Sequence, residues 1–152
     1  IPTDYNGYTG FFDLNYGHNI LKSKYRDLYD ALIDKQIKVD VRDIADFKTG
    51  LNDDLYTQFP VAYHTILNKH EMNGLNVVYY GHHKATIYGY NSSYSEYLLN
   101  EIEYIMTNEQ EIYKHKWNKG DILLWDNTQV MHRGMGNYGF QKRLLHRVQT
   151  QF

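Results

Sequence analysis

Apolar and polar positions divide the chain into strand-like and helix-like stretches. Residues 9–14 read as a short strand. Leu21, Tyr25, Leu28, Tyr29, Leu32 and Ile33 then recur at helical spacing, with Ser23 as a candidate cap for the main run. Residues 37–41 alternate weakly, and residues 42–59 are acidic and aperiodic, which predicts a long loop of the kind that often serves as a functional lid. Residues 61–66 and 75–80 read as two strands joined by a turn ending in Asn73-Gly74, and a third strand is expected near residues 85–88. Ser93 and Glu96 have capping-box spacing, ahead of a helix whose apolar face is Tyr97, Leu98, Ile102, Ile105 and Met106. The rest is strand-rich, over residues 112–116, 121–125, 129–132 and 143–149. Many strands with two helices predict a β-sandwich or barrel with helices packed outside.

Composition narrows the class. A chain of 152 residues fits one domain with a real core, and neither repeats nor linkers divide it. The formal net charge of −2 and a pI near 6.5 give no global field for nucleic acid or an anionic membrane, and no apolar run has transmembrane length. A soluble protein is expected. The absence of cysteine excludes disulfides and thiolate metal sites and suits a reducing cytoplasm. Sixteen tyrosines, with abundant Asn, Ile and Lys, reflect a base-composition bias rather than an aromatic binding surface. Residue 1 is Ile, and residues 1–10 resemble neither a signal peptide nor a basic arm, so the chain is expected to begin mid-sequence.

The chemistry is concentrated near the C-terminus. Trp117, Gly120-Asp121 and Trp125-Asp126-Asn127 lead to His132 and Arg133-Gly134, and Arg143 lies 143 − 132 = 11 residues beyond His132. Gly120-Asp121 reads as a tight turn feeding a buried strand, and Asp126-Asn127 as a turn held by side-chain hydrogen bonds, more scaffold than chemistry. An imidazole and a guanidinium facing one cavity suit an iron site with an anionic cosubstrate. A neutral imidazole is a good Fe(II) ligand, and the planar guanidinium matches a carboxylate bidentately.

This pattern, W-x-x-G-D-x-x-x-W-D-N followed by His and then Arg, resembles the C-terminal portion of Fe(II)/2-oxoglutarate-dependent dioxygenases of the taurine dioxygenase (TauD/TfdA) family. Gly7-Tyr8-Thr9-Gly10-Phe11-Phe12-Asp13 is similar to the family's G-x-T-x-F-x-D segment, and residues 77–83 with Ile87-Tyr88-Gly89 to its middle segment. The resemblance implies a mainly β fold with flanking helices, a double-stranded β-helix (jelly-roll, clavaminate synthase-like) incomplete at its N-terminus. Residues 1–152 would be the C-terminal portion of one such domain. It implies Fe(II) and 2-oxoglutarate as cofactors, O2 and a small organic substrate as partners, and neither nucleic acid nor membrane. By the same resemblance His132 is a metal ligand, and Arg143 and Thr9 bind 2-oxoglutarate. Arg147 follows Arg143 by four and either binds an anionic substrate or makes a structural ion pair. His83 is assigned to the substrate pocket and its neighbour His82 to structure, since adjacent strand residues point to opposite faces.

One departure matters. The family's other two iron ligands come from an H-x-D motif upstream of the Thr segment. None of the eight histidines here has Asp or Glu two positions later. A single histidine does not hold catalytic iron, so these residues by themselves should not turn over. Three readings remain: an oxygenase whose H-x-D lies upstream, a non-catalytic jelly-roll pseudoenzyme or binding module, and a split enzyme completed by a second chain. Missing opening strands would leave an unpaired sheet edge, which favours self-association, including a homo-oligomer.

Overall fold

A computed structural model describes residues 7–40, 61–81, 85–136 and 144–150 of the chain. The expected loop 42–59 lies outside these residues. The described part is mainly β with helices: eight short strands in three sheets, and three helices.

β1 (Tyr8–Asp13) buries four successive residues, Thr9 to Phe12. It lies between two antiparallel partners, β7 (Tyr113–Lys116) and β8 (Val130–Gly134), and its burial does not alternate because both faces are covered: Phe12 enters the core, and Phe11 packs against Trp125 and His132. β1 passes directly into α1 (Leu14–Lys24). Asp13 makes the junction, since its Oδ1 accepts the backbone N–H groups of Asn15 at 2.8 Å and Tyr16 at 3.0 Å. The one helix expected after it is two, with Tyr25 breaking the run before α2 (Arg26–Leu32). Ser23 is inside α1 and caps nothing; its hydroxyl donates to the Asn19 carbonyl at 2.7 Å.

β2 (Gln36–Val39) is the centre of a second sheet, between β3 (Ala62–Thr65) and β6 (Thr86–Ile87). Here the expected hairpin of residues 61–66 with 75–80 is corrected. β3 pairs with β2, while β4 (Leu67–Lys69) pairs with β5 (Asn76–Val78) around the Asn73-Gly74 turn. The handover occurs at fully buried Ile66, whose N–H donates to Lys35 at 3.0 Å and whose carbonyl accepts from Tyr79 at 2.7 Å.

α3 (Ser92–Asn108) is capped by Asn91, whose side chain accepts the Tyr94 N–H at 2.9 Å, and not by Ser93. Its buried face is Leu98, Ile102, Ile105 and Met106, joined by Ser95 and Leu99, while Tyr97 is 56 % exposed. This face meets α1, β6 and β1 in one core with Phe12, Leu14, Leu21 and Val78. Each buried aliphatic side chain there contributes about 1.5–3 kcal/mol relative to exposure. Gly17 permits the close approach, since a Cβ on it would overlap Met106.

Two further strands are corrected. Residues 121–126 are extended but form no ladder, with Ile122 94 % and Leu124 95 % exposed. The alternation is real, since Leu123 and Trp125 are partly buried, but among the described residues no strand pairs with this stretch. Residues 144–150 are likewise irregular and exposed. Arg147 therefore stands on no described strand.

Candidate functional site

The β7-β1-β8 sheet brings together segments distant in sequence. Directly opposed residues of antiparallel strands share a face. Thr9 opposes His115 and Gly134, and Phe11 opposes Tyr113 and His132. One face therefore carries Thr9, Phe11, Tyr113, His115 and His132. Their rings form a continuous aromatic wall. Phe11 lies 6.0 Å from both Tyr113 and His132, and Trp125 lies 4.8 Å from His132 and edge-on to Phe11 at 5.4 Å.

His132 is partly buried in this wall, and neither ring nitrogen is hydrogen-bonded to a described residue. Burial holds its pKa below the ordinary histidine value, and the positive charge of Arg147 adds to the effect. The result is an imidazole kept neutral, with a lone pair to offer a metal.

Thr9 is buried, and its hydroxyl oxygen accepts the Trp117 indole N–H at 2.8 Å. A hydroxyl that accepts from an indole still has its own proton to donate. Trp117 is braced in turn. His115 packs edge-on to its ring at 4.7 Å, and His115 Nε2 lies 3.1 Å from the Asp121 carboxylate. Asp121 also accepts the Asn118 N–H at 2.8 Å, and that bond, ahead of the His115 contact, lowers its pKa. Gly120, at φ +95, supplies the left-handed residue that this turn needs. The Trp-x-x-Gly-Asp motif thus has a local purpose: it aims Trp117 at Thr9.

Of the residues singled out in the sequence, the structure brings Thr9 and His132 onto one face. Arg147 is exposed and donates to the Gln149 side chain at 3.2 Å, with its charge felt at His132. Arg143 and His83 lie outside the described residues. Among the described residues no group of three His, Asp or Glu could hold a metal ion. A cleft of about 480 Å³ opens between α3 and β8, lined by Phe12, Met131, Arg133, Glu103 and Tyr80 and touching His132. By strand alternation Phe12, Met131 and Arg133 project from the face opposite to Thr9, where Arg133 pairs with Glu103 at 3.3 Å. The cleft is therefore not the Thr9 site.

Sequence reasoning missed the parts played by Trp117 and Trp125. Strand alternation carried the signal for the first: Trp117 is two residues beyond His115, so it continues along the face that carries His115 and Thr9.

An alpha-ketoglutarate-dependent sulfate ester dioxygenase of Pseudomonas putida is 28% identical over 85 residues, 56% of this chain and 28% of that protein. An alpha-ketoglutarate-dependent 2,4-dichlorophenoxyacetate dioxygenase of Cupriavidus pinatubonensis is 31% identical over 85 residues, 56% of this chain and 30% of that protein. The crystal structure of AAD-2 in complex with Mn(II) and N-oxalylglycine superposes with a TM-score of 0.76 at 20% identity, over 94% of this chain and 56% of that one. The chain thus spans about half or less of the relatives it matches. The family model of the taurine catabolism dioxygenases matches residues 2–149, nearly the whole sequence, and on that match the chain belongs to the TauD/TfdA family.

Proposed function

We propose that the complete protein is an Fe(II)- and 2-oxoglutarate-dependent oxygenase that hydroxylates a small organic anion. In this reading residues 1–152 are the C-terminal portion of its single double-stranded β-helix domain. The observation that carries it is the pairing on one sheet face of a partly buried, neutral His132 with a Thr9 hydroxyl whose proton is free to be donated.

The donor set suits the cofactors. His132 would give one imidazole to the iron, with the other ligands supplied from beyond the described residues. Thr9 would donate its hydroxyl proton to a 2-oxoglutarate carboxylate, and Arg143 would pair with the same carboxylate as a two-pronged donor. Phe11, Trp125 and Tyr113 would wall the pocket against water, which strengthens each of these polar contacts. Bound iron and 2-oxoglutarate supply the O2 activation that hydroxylation of a C–H bond requires. Arg147 would meet the anionic group of the substrate, with His83 nearby in the pocket. Support for an anionic substrate comes from the sulfate ester and dichlorophenoxyacetate in the relatives' names. For a cytoplasmic location the support is the cysteine-free sequence. No described helix is long and apolar enough to cross a membrane.

The test uses the complete protein with Fe(II), 2-oxoglutarate and a panel of sulfate esters, sulfonates and aryloxy acids. Succinate release that depends on one of these acids is expected, together with loss of metal binding in His132→Ala. Mn(II) binding unchanged by His132→Ala would remove the reading of the site. Binding of 2-oxoglutarate with no succinate from any acid would favour a non-catalytic jelly-roll.

A further inference from the structure

The Asp126 carboxylate is a junction between two parts of the fold. Its Oδ1 accepts the Thr128 backbone N–H at 2.8 Å and the Thr128 hydroxyl at 2.6 Å, and its Oδ2 accepts the Gln129 side-chain amide at 3.0 Å. These local bonds are sufficient to form the turn. A fourth contact is not local: His70 Nε2 lies 3.0 Å from Oδ2, from a residue 56 positions earlier.

His70 closes the β4–β5 hairpin, and its side chain is 7% exposed although Asp126 itself is 41% exposed. The Asn73 backbone N–H points at His70 Nδ1 from 3.2 Å, which makes Nδ1 the acceptor. The ring proton is then on Nε2, aimed at the carboxylate. A second bond runs alongside, from the Asn73 side-chain amide to Gln129 Oε1 at 2.8 Å. The hairpin therefore grips the 126–129 turn at two points.

What leaves that turn is the candidate site. The Gln129 carbonyl accepts the Leu14 N–H at 3.0 Å, Val130 opposes Asp13, and His132 follows two residues later in β8. On the other side of Asp126 stands Trp125, whose ring lies 4.8 Å from that of His132. A rotation of this turn would move the imidazole and its aromatic wall against Thr9 together.

We propose that His70 is a positioning residue of the metal site: acting through Asp126, it sets where His132 stands relative to Thr9. The proposal rests on the reading of His132 as a ligand. Groups that orient metal ligands typically change metal affinity by about 10–100-fold when removed, and the lower end is expected for a residue that acts through a turn.

The experiment measures the Mn(II) dissociation constant of the complete protein by calorimetry, and its melting temperature in chelator. The variants are His70→Ala, His70→Gln, Asp126→Asn, the His70→Ala/Asp126→Asn pair, and His132→Ala. Glutamine keeps an N–H donor near the position of Nε2. The expected result is about tenfold weaker Mn(II) binding in His70→Ala, recovery of most of it in His70→Gln, and no further loss when His70→Ala is added to Asp126→Asn. A lowered melting temperature with unchanged Mn(II) affinity would reduce His70 to a structural role and overturn the proposal. So would failure of glutamine to rescue, or strict additivity of the pair. If His70→Ala does not fold, the glutamine and Asp126→Asn variants decide: wild-type Mn(II) affinity in Asp126→Asn rejects the proposal. His132→Ala separates the two levels: if it still binds Mn(II) normally, the underlying site reading has failed, whereas loss there with no change on altering His70 sinks only the positioning role.

Discussion

Thr9 shows how much of a residue's role lies outside its own neighbourhood. Threonine in a strand is commonplace, and nothing near Thr9 marks it as a donor. Trp117, 108 residues later, donates its indole N–H to the hydroxyl oxygen, which leaves the hydroxyl's own hydrogen to point elsewhere. Replacing Trp117 with Phe should keep an aromatic ring beside His115 and remove the N–H donated to Thr9. The Thr9 hydroxyl can then turn, and on the proposed reading its bond to 2-oxoglutarate would lose direction. A single hydrogen bond is worth about 1 kcal/mol net, so the KM for 2-oxoglutarate should rise about fivefold with kcat nearly unchanged. In a Thr9→Ala background the same change should add little. A fall in kcat at constant KM would show that Trp117 serves something other than the cosubstrate. The Thr9 and His132 segments were legible through family resemblance. The Trp117 contact was not read, because spacing along a chain does not say which strand lies beside which.

At the level of elements, strand and helix positions were mostly legible, while their ends and partners were not. Ser23 and Ser93 had the right chemistry for caps, but Asp13 and Asn91, in extended backbone, cap α1 and α3, and Tyr25 precedes α2 with no side-chain cap. The apolar run at residues 121–125 has real alternation, yet burial depends on what covers a face, and Ile122 and Leu124 are uncovered among the described residues. Gly17 is the opposite case. Glycine inside a helix is unfavourable by about 1 kcal/mol relative to alanine, so its presence mid-α1 needs a reason. The reason is Met106, fully buried on α3 where a Cβ on residue 17 would stand, with Val78 Cγ1 3.3 Å away. Gly17→Ala should therefore lower stability by about 1–3 kcal/mol, the usual cost of overpacking, despite its better helix propensity. Denaturant unfolding would read this directly. Combining Gly17→Ala with Met106→Ala should cost less than the two changes summed; a stabilised single variant would mean that the helices separate without penalty.

Across the whole molecule, 16 basic and 18 acidic side chains nearly cancel, so global charge does not dominate its response to mild acid. Individual buried histidines then decide it. His18 is 3% exposed, packed edge-on against Tyr29 at 5.4 Å, with the Tyr29 hydroxyl 3.4 Å from Nε2 and no hydrogen-bond partner for Nδ1 among the described residues. Burial pushes its pKa below 6.5, because a charged imidazole there would lose its water. The unfolded chain therefore takes up the proton more readily than the folded one. Stability is complete above the unfolded value of 6.5 and is lost as pH falls from there toward the folded value. His132, shifted in the same direction by burial, adds to the loss. The melting temperature of the complete protein in chelator should accordingly fall as pH drops from about 6.5 to 5.5. His18→Phe keeps a ring against Tyr29 and removes the titration, so its curve should be flatter than that of the wild type over the same range. Parallel curves would place the acid sensitivity elsewhere, and a steeper one would mean that His18 is protonated within the folded core.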